Sequence, residues 1–249
     1  MFDFLRGFSA IWRRELAGIF MGPLAWTLLV IAAALQGLLF LVYLKTSQGD
    51  VDLALRFAFG ESWAFWALAA LFPPLLTMRM ISEESRLGLL EYLLTAPVSD
   101  AAVVLGKFAA ATSFMALVWS NGLLHAWLAQ QAGVAPDWGA VWGGWIGAVC
   151  VSGLFCATGL LCSAATNTPV VAAFGAIVLH IVVVILPLLS SLTEARWIQD
   201  AIARVDVLDH HKATFLVGVL DSAYLGFFAV WTALFLYAAT RSLEARRWR

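Results

Sequence analysis

The sequence predicts an all-α fold, a polytopic membrane protein with six transmembrane helices, and three observations carry that prediction. The composition is 62% hydrophobic and only 12% charged, with a mean hydropathy of +0.88, far from the roughly half-apolar average of soluble domains. The apolar residues come in charge-free blocks of about 20, the length at which a helix crosses the hydrocarbon core of a bilayer. The charges gather between these blocks instead of alternating with apolar residues as on the amphipathic helices of a soluble core. A single membrane domain, 1–249, follows.

The first element precedes the spans. Phe4, Phe8, Ile11 and Trp12 recur at helical spacing while Arg6, Arg13 and Arg14 supply positive charge, the pattern of an interfacial helix on the cytoplasmic face. It is expected over 1–21, turning inward at Gly22 and Pro23; the alternative is a plain extension of the first span. No short apolar run ends in a small-residue cleavage site, so the N-terminus is expected to stay uncleaved.

Spans follow at about 23–44, 62–78, 108–129, 138–164, 170–192 and 222–240. The second is short and is expected either to begin inside Leu53 to Phe59 or to stand upright. Trp26, Trp63, Trp138, Trp197 and Trp231 lie near span ends, where indole suits the headgroup level. Arg6, Arg13, Arg14, Arg79, Arg86, Lys107, Arg241, Arg246, Arg247 and Arg249 fall on one side of this layout, against Lys45, Arg56, Arg196, Arg204 and Lys212 on the other. Positively charged short loops stay inside, so both termini are expected to be cytoplasmic.

Several polar or small residues fall in or near the spans. Cys150, Cys156 and Cys162 are six residues apart, about 240° around a helix from one to the next, and share no face; they read as small buried hydrophobes. Gly143, Gly144, Gly147, Gly153 and Gly159 permit close helix approach in the fourth span. Packing inside the subunit is the favoured role, with a pathway or dimer contact as the alternative. His125 and His180 are ionisable groups inside spans and are candidates for a gate or pathway. With Asn121 one turn before His125, bonding between helices is favoured over substrate or proton handling.

The loop from Leu192 to Leu220 carries Trp197, Ile198, Ile202 and Val205 in helical register and is expected to fold back onto the membrane. Its Asp209-His210-His211-Lys212 run lacks further ligands, and Lys212 opposes a cation, so metal binding is disfavoured. Asp221 is placed to cap the sixth span.

The most informative stretch joins spans two and three. Glu83, Glu84, Arg86 and Glu91 give a polar surface, and Leu87, Leu90 and Leu94 form an apolar stripe at helical spacing, predicting a helix over 83–97. Pro97 stops it; Ser99 then caps the next helix, with Asp100 in its first turn. A membrane-surface connector would satisfy the same pattern. The run Glu83, Glu84, Gly88, Glu91, Leu93, Leu94, Thr95, Pro97, Gly106, Lys107 nevertheless resembles the cytoplasmic coupling region of ABC-2 type transporter permeases, above all the GldF/NosY-like branch. Leu89 stands where that family usually has Thr. The segment Ser163 to Thr168 and the C-terminal part from Phe215 through Gly218, Asp221 and Tyr224 to Arg249 are similar to the same family.

The resemblance implies the permease subunit of an ATP-binding cassette transporter in the bacterial inner membrane. It further implies cytoplasmic ATPase subunits as partners, a second permease copy, and a periplasmic or auxiliary membrane subunit. The coupling helix, with Glu83, Glu84, Arg86, Leu87, Gly88, Leu90, Glu91, Leu94, Thr95 and Pro97, is then the contact with the ATPase, and the last external loop takes part in gating. ATP and Mg belong to that partner. This chain has no phosphate-binding loop, since Gly106-Lys107 lacks the upstream glycine and is followed by Phe108. No cofactor, catalytic residue, metal site or nucleic-acid partner is expected in it. An intramembrane protease is disfavoured because the acidic pair sits outside the spans and the expected Arg position holds Gly88. A membrane scaffold that couples to an ATPase without transport remains the second reading.

Overall fold

The computed structural model describes residues 2–88 and 98–246. Among them the secondary structure is helical, with no strand. Six helices are long and apolar enough to cross a membrane. Helix α1 (Phe2–Met21) is followed by α2 (Pro23–Thr46), α3 (Val51–Arg56), a π-turn (Phe57–Glu61), α4 (Trp63–Thr77) and α5 (Ser82–Arg86). Then come α6 (Asp100–Gln131), α7 (Trp138–Ala165), α8 (Pro169–Leu192), α9 (Arg196–Val205), α10 (Val207–Lys212), a 3-10 turn (Phe215–Val217) and α11 (Ser222–Arg246). The spans are α2, α4, α6, α7, α8 and α11, and each overlaps the block expected for it.

Local chemistry sets the boundaries. Pro23 opens α2 at a position where its missing N–H costs nothing. Ser62, Ser99 and Asp137 cap α4, α6 and α7 by accepting backbone N–H bonds from Phe65, Ala102 and Gly139. Asp221 accepts from Ala223 at 2.9 Å, as expected of a cap for α11.

Helix α7 is the centre of the bundle. It packs against α4, α6, α8 and α11, and its glycines are where neighbours enter. A Cβ on Gly144 would meet Phe59 at 2.9 Å, on Gly147 would meet Phe215 at 2.6 Å, and on Gly159 would run into Thr77. This is packing inside the subunit; Gly153 alone of the five has only ordinary contacts, the nearest being Phe108 at 3.7 Å. By contrast α2, α8 and α11 bury little of their surface and present broad apolar faces.

Six crossings put both termini at one end of the bundle, called here the terminal end. Trp12 of α1 donates to Ser113 of α6 at 3.3 Å, and Ile11 packs where a side chain on Gly106 would stand. At the other terminus Ser242 of α11 donates to the Ala164 carbonyl at the end of α7. Helix α1 therefore lies along the first turns of the third span, held against protein by its Ile11 and Trp12 face.

The opposite end is closed by two folded-back segments. The second span is preceded by α3 and the π-turn, which carry Phe59 into the bundle, between Gly122 and Gly144. The loop after α8 forms α9 and α10, with Ile202, Val207 and His211 buried. His211 Nε2 donates to the Phe59 carbonyl at 2.7 Å, so the two segments lock onto each other.

Candidate functional site

The residues singled out between spans two and three converge on a buried charge cluster. Helix α6 begins at the Ser99 cap, and two turns later Gly106 and Lys107 stand side by side. Gly106 serves closeness: a Cβ there would lie 2.7 Å from Ile11 Cγ2. Because α1 comes this near, Lys107 reaches two carboxylates on different elements. Its Nζ lies 2.9 Å from Glu15 Oε1 on α1 and 2.9 Å from Glu84 Oε2 on α5. The Lys107 side chain is 0% exposed. Arg14 closes the cluster from outside, its Nη2 at 2.6 Å from Glu15 and 3.1 Å from Glu84.

Two cations and two carboxylates balance, which is what lets charge sit inside an apolar surrounding. Burial pushes the Glu15 carboxyl up, but Lys107 and Arg14 outweigh it and hold the group below the usual carboxylate range. Arg14 is raised, chiefly by its hydrogen bond to Glu15. The cluster thereby ties three elements at the terminal end: α1, the turn after α4, and the start of α6.

The same turn is fastened to the fourth span. Ser163 Oγ accepts from the backbone N–H groups of Ile81 and Ser82, at 3.2 and 3.1 Å, and donates to the Met78 carbonyl at 3.0 Å. These are groups that the end of α4 and the start of α5 leave without helical partners. Ser85 donates to Asn167 Oδ1 at 3.1 Å in the turn between α7 and α8. The Ser/Thr-rich segment from Ser163 thus holds the second-to-third connection in place.

One expectation is corrected here. A helix running unbroken from 83 through Gly88 does not form, because α5 ends at Arg86 and Gly88 adopts φ +71, the left-handed conformation that terminates helices at glycine. Leu87 is 59% exposed and stands at the rim of the cavity between α1, α2, α4 and α5. Glu83 approaches Arg79 at 3.7 Å and Arg86 at 3.6 Å. Glu84 is drawn inward to Lys107 instead of standing on the outer rim. Leu90, Glu91, Leu94, Thr95 and Pro97 lie outside the described residues.

The three candidates for a gate or pathway do not come together. His180 sits where Pro74 leaves the Ala70 carbonyl without its helical donor; Nδ1 donates to that oxygen at 2.9 Å, and Nε2 meets Thr158 Oγ1 at 2.6 Å. This is bonding between helices, linking α4, α7 and α8. Among the described residues His125 makes no such bond: its ring stacks on Phe40 of α2, with centroids 4.8 Å apart, and its buried Nδ1 has no partner there. Asn121 turns back to the Val118 carbonyl of its own helix at 3.2 Å. The expected cooperation of Asn121 and His125 in helix-helix bonding is therefore not observed: His125 meets the Phe40 ring of α2, and the buried Gln36 of α2 donates to the Val118 carbonyl instead.

The Asp209 to Lys212 run separates. His211 is enclosed by Phe65, Trp66 and Phe215, and burial pushes its imidazole down to about 4, so it is neutral where it binds Phe59. His210 turns instead to the Asp206 carbonyl and stacks on Phe227. No family model and no curated protein matches this chain. Its site is therefore read from its own geometry.

Sequence reasoning named Lys107 and Glu84 but missed Arg14 and Glu15 as their partners. The signal at hand was an adjacent Arg-Glu pair at the edge of an otherwise apolar helical face. Phe59 and His211 carried no signal, since their pairing joins segments 152 residues apart.

Proposed function

We propose that this chain is the permease subunit of an ATP-binding cassette transporter of the ABC-2 type, moving a substrate across the bacterial inner membrane with ATP hydrolysed by separate subunits. The observation that carries the reading is the junction of Glu84, Lys107, Glu15 and Arg14, with Ser163 and Asn167 beside it. A push on the connection between spans two and three would reach α1, α4, α6 and α7 together, because each is bonded to it. Tightly packed bundles respond to such a push by moving between discrete arrangements. The excess of Lys and Arg at the terminal end supports a cytoplasmic position for both termini and for this junction. ATP and Mg are bound by the partner ATPase. The apolar faces of α2 and α8 suit lipid or a second permease copy.

Leu87 and Arg86 are the residues to test, because both are exposed and lie outside the charge cluster. Co-expression with the ATPase encoded in a neighbouring reading frame, followed by affinity purification, is expected to recover a complex from the unaltered chain. The double change Leu87→Asp and Arg86→Glu is expected to lower that recovery about tenfold, the effect of losing one well-packed anchor. Unchanged recovery and unchanged ATPase rate would sink the reading. Reconstitution in liposomes separates transport from scaffolding: ATP turnover without flux favours a subunit that only transmits force.

A further inference from the structure

A cavity of about 450 Å³ opens at the terminal end between the elbow of α1 and α2, the last turn of α4, and α5. Its lining changes character along the bundle axis. Leu75 and Leu76 near the end of α4 and Leu24 at the start of α2 make an apolar inner part. One turn further along, Arg79, Glu83 and Arg14 line the outer part. This order matches the boundary between hydrocarbon and headgroups, where the α1–α2 elbow and the end of the second span must lie.

The charged groups keep capacity to bind. Arg14 reaches both Glu15 and Glu84 through Nη2, and a guanidinium has five N–H donors. Arg79 is mostly exposed and only approaches Glu83, at 3.7 Å. Both ion contacts of Glu83, 3.7 and 3.6 Å, are longer than hydrogen bonds. Two guanidinium forks and three carboxylates, Glu15, Glu83 and Glu84, line a cavity whose inner half is apolar; Glu15 and Glu84 are held by Lys107 and Arg14 at 2.6 to 3.1 Å, which leaves Glu83 as the carboxylate with only long contacts.

We propose that this cavity binds a zwitterionic phospholipid bearing a primary ammonium headgroup. Its phosphate sits between Arg14 and Arg79, its ammonium donates to Glu83, and one acyl chain lies along Leu24, Leu75 and Leu76. Planar guanidinium groups match phosphate oxygens in bidentate fashion. A purely anionic lipid would leave Glu83 facing negative charge, and a choline headgroup has no N–H to donate to it. A soluble phosphate would leave the apolar half empty. The lipid fills the wedge beside Glu84, where the elbow meets the second span. The proposal rests on the placement of the spans in a membrane and not on the identity of any ATPase.

Native mass spectrometry of the purified full-length chain, equilibrated with equimolar phosphatidylethanolamine, phosphatidylcholine and phosphatidylglycerol, tests it. One phosphatidylethanolamine per chain is expected to be retained about tenfold over the other two, the effect of one charge-assisted hydrogen bond. Glu83→Gln is expected to abolish that preference, and Arg79→Gln to lower retention of phosphatidylethanolamine and phosphatidylglycerol alike. Leu24→Trp, at an exposed position, is expected to fill the inner part and lower retention of all three. Equal retention of the three lipids by the unaltered chain, or a preference that survives Glu83→Gln, overturns the proposal. So does a chain that retains no lipid while Leu24→Cys becomes shielded from maleimide only in the presence of a co-expressed partner, which would mean that a protein segment fills the cavity.

Discussion

At the scale of single residues, Lys107 shows how a charge can be afforded at the edge of a membrane bundle. Its ammonium is wholly enclosed, and two carboxylates from separate helices replace the water it has lost. Removing it by Lys107→Met leaves Glu15 and Glu84 facing each other with only Arg14 between them and water. The expected cost is about 3 kcal/mol, the low end for breaking a buried ion pair because both carboxylates keep some solvent contact. The unfolding midpoint in detergent measures it; an unchanged midpoint would show that the cluster is not a structural tie. The pH dependence has a definite sign. Glu15 is held below its ordinary value of 4.5 in the folded chain, so its contribution is complete above about 4.5 and is lost as pH falls through the lower folded value. The Lys107→Met variant should show a shallower loss in that acid range.

At the scale of elements, glycines in α6 and α7 exist for their neighbours. Gly122 and Gly144 face Phe59 from two sides, and a Cβ on Gly122 would run into the tip of that ring. Gly122→Val is therefore expected to destabilise by about 2 kcal/mol through overpacking, and Phe59→Leu combined with it should recover part of the loss. Gly153→Ala, with nothing nearer than 3.7 Å, is the control and should be close to neutral. Thermal unfolding of the unaltered chain and these three variants decides the matter, and equal midpoints for Gly122→Val and Gly153→Ala would contradict the wedge. The π-turn has its reason in the same contact: it aims Phe59 inward while leaving its carbonyl for His211.

At the scale of the whole molecule, the ends of the bundle differ in kind. The terminal end is tied by ion pairs and by Ser163, whereas the opposite end is tied by Phe59, His211 and Phe215 among aromatic rings. The proposed orientation accounts for the division, since it places the end where basic residues gather inside the cell. Cysteine labelling in intact cells, in a background lacking Cys150, Cys156 and Cys162, tests it. Ser47→Cys and Gly133→Cys are expected to react with an impermeant maleimide, and Arg13→Cys and Glu244→Cys only after lysis. The reverse pattern would invert the orientation and remove Arg86 and Leu87 from the reach of a cytoplasmic motor.

The sequence by itself determined the six spans and most of their ends, because charge-free length and caps such as Ser99 and Asp221 act locally. It also marked the connection between spans two and three, since charges are scarce and therefore visible there. It did not determine where those charges point. The turn of Glu84 toward Lys107, the approach of Glu15, and the separate fates of His125 and His180 depend on which helix arrives opposite each side chain. Only the tertiary structure decided these, because the partners lie on elements far apart in the chain, and because Gly106, Pro74 and Phe59 act by admitting, exposing or filling space that exists only once the helices have packed.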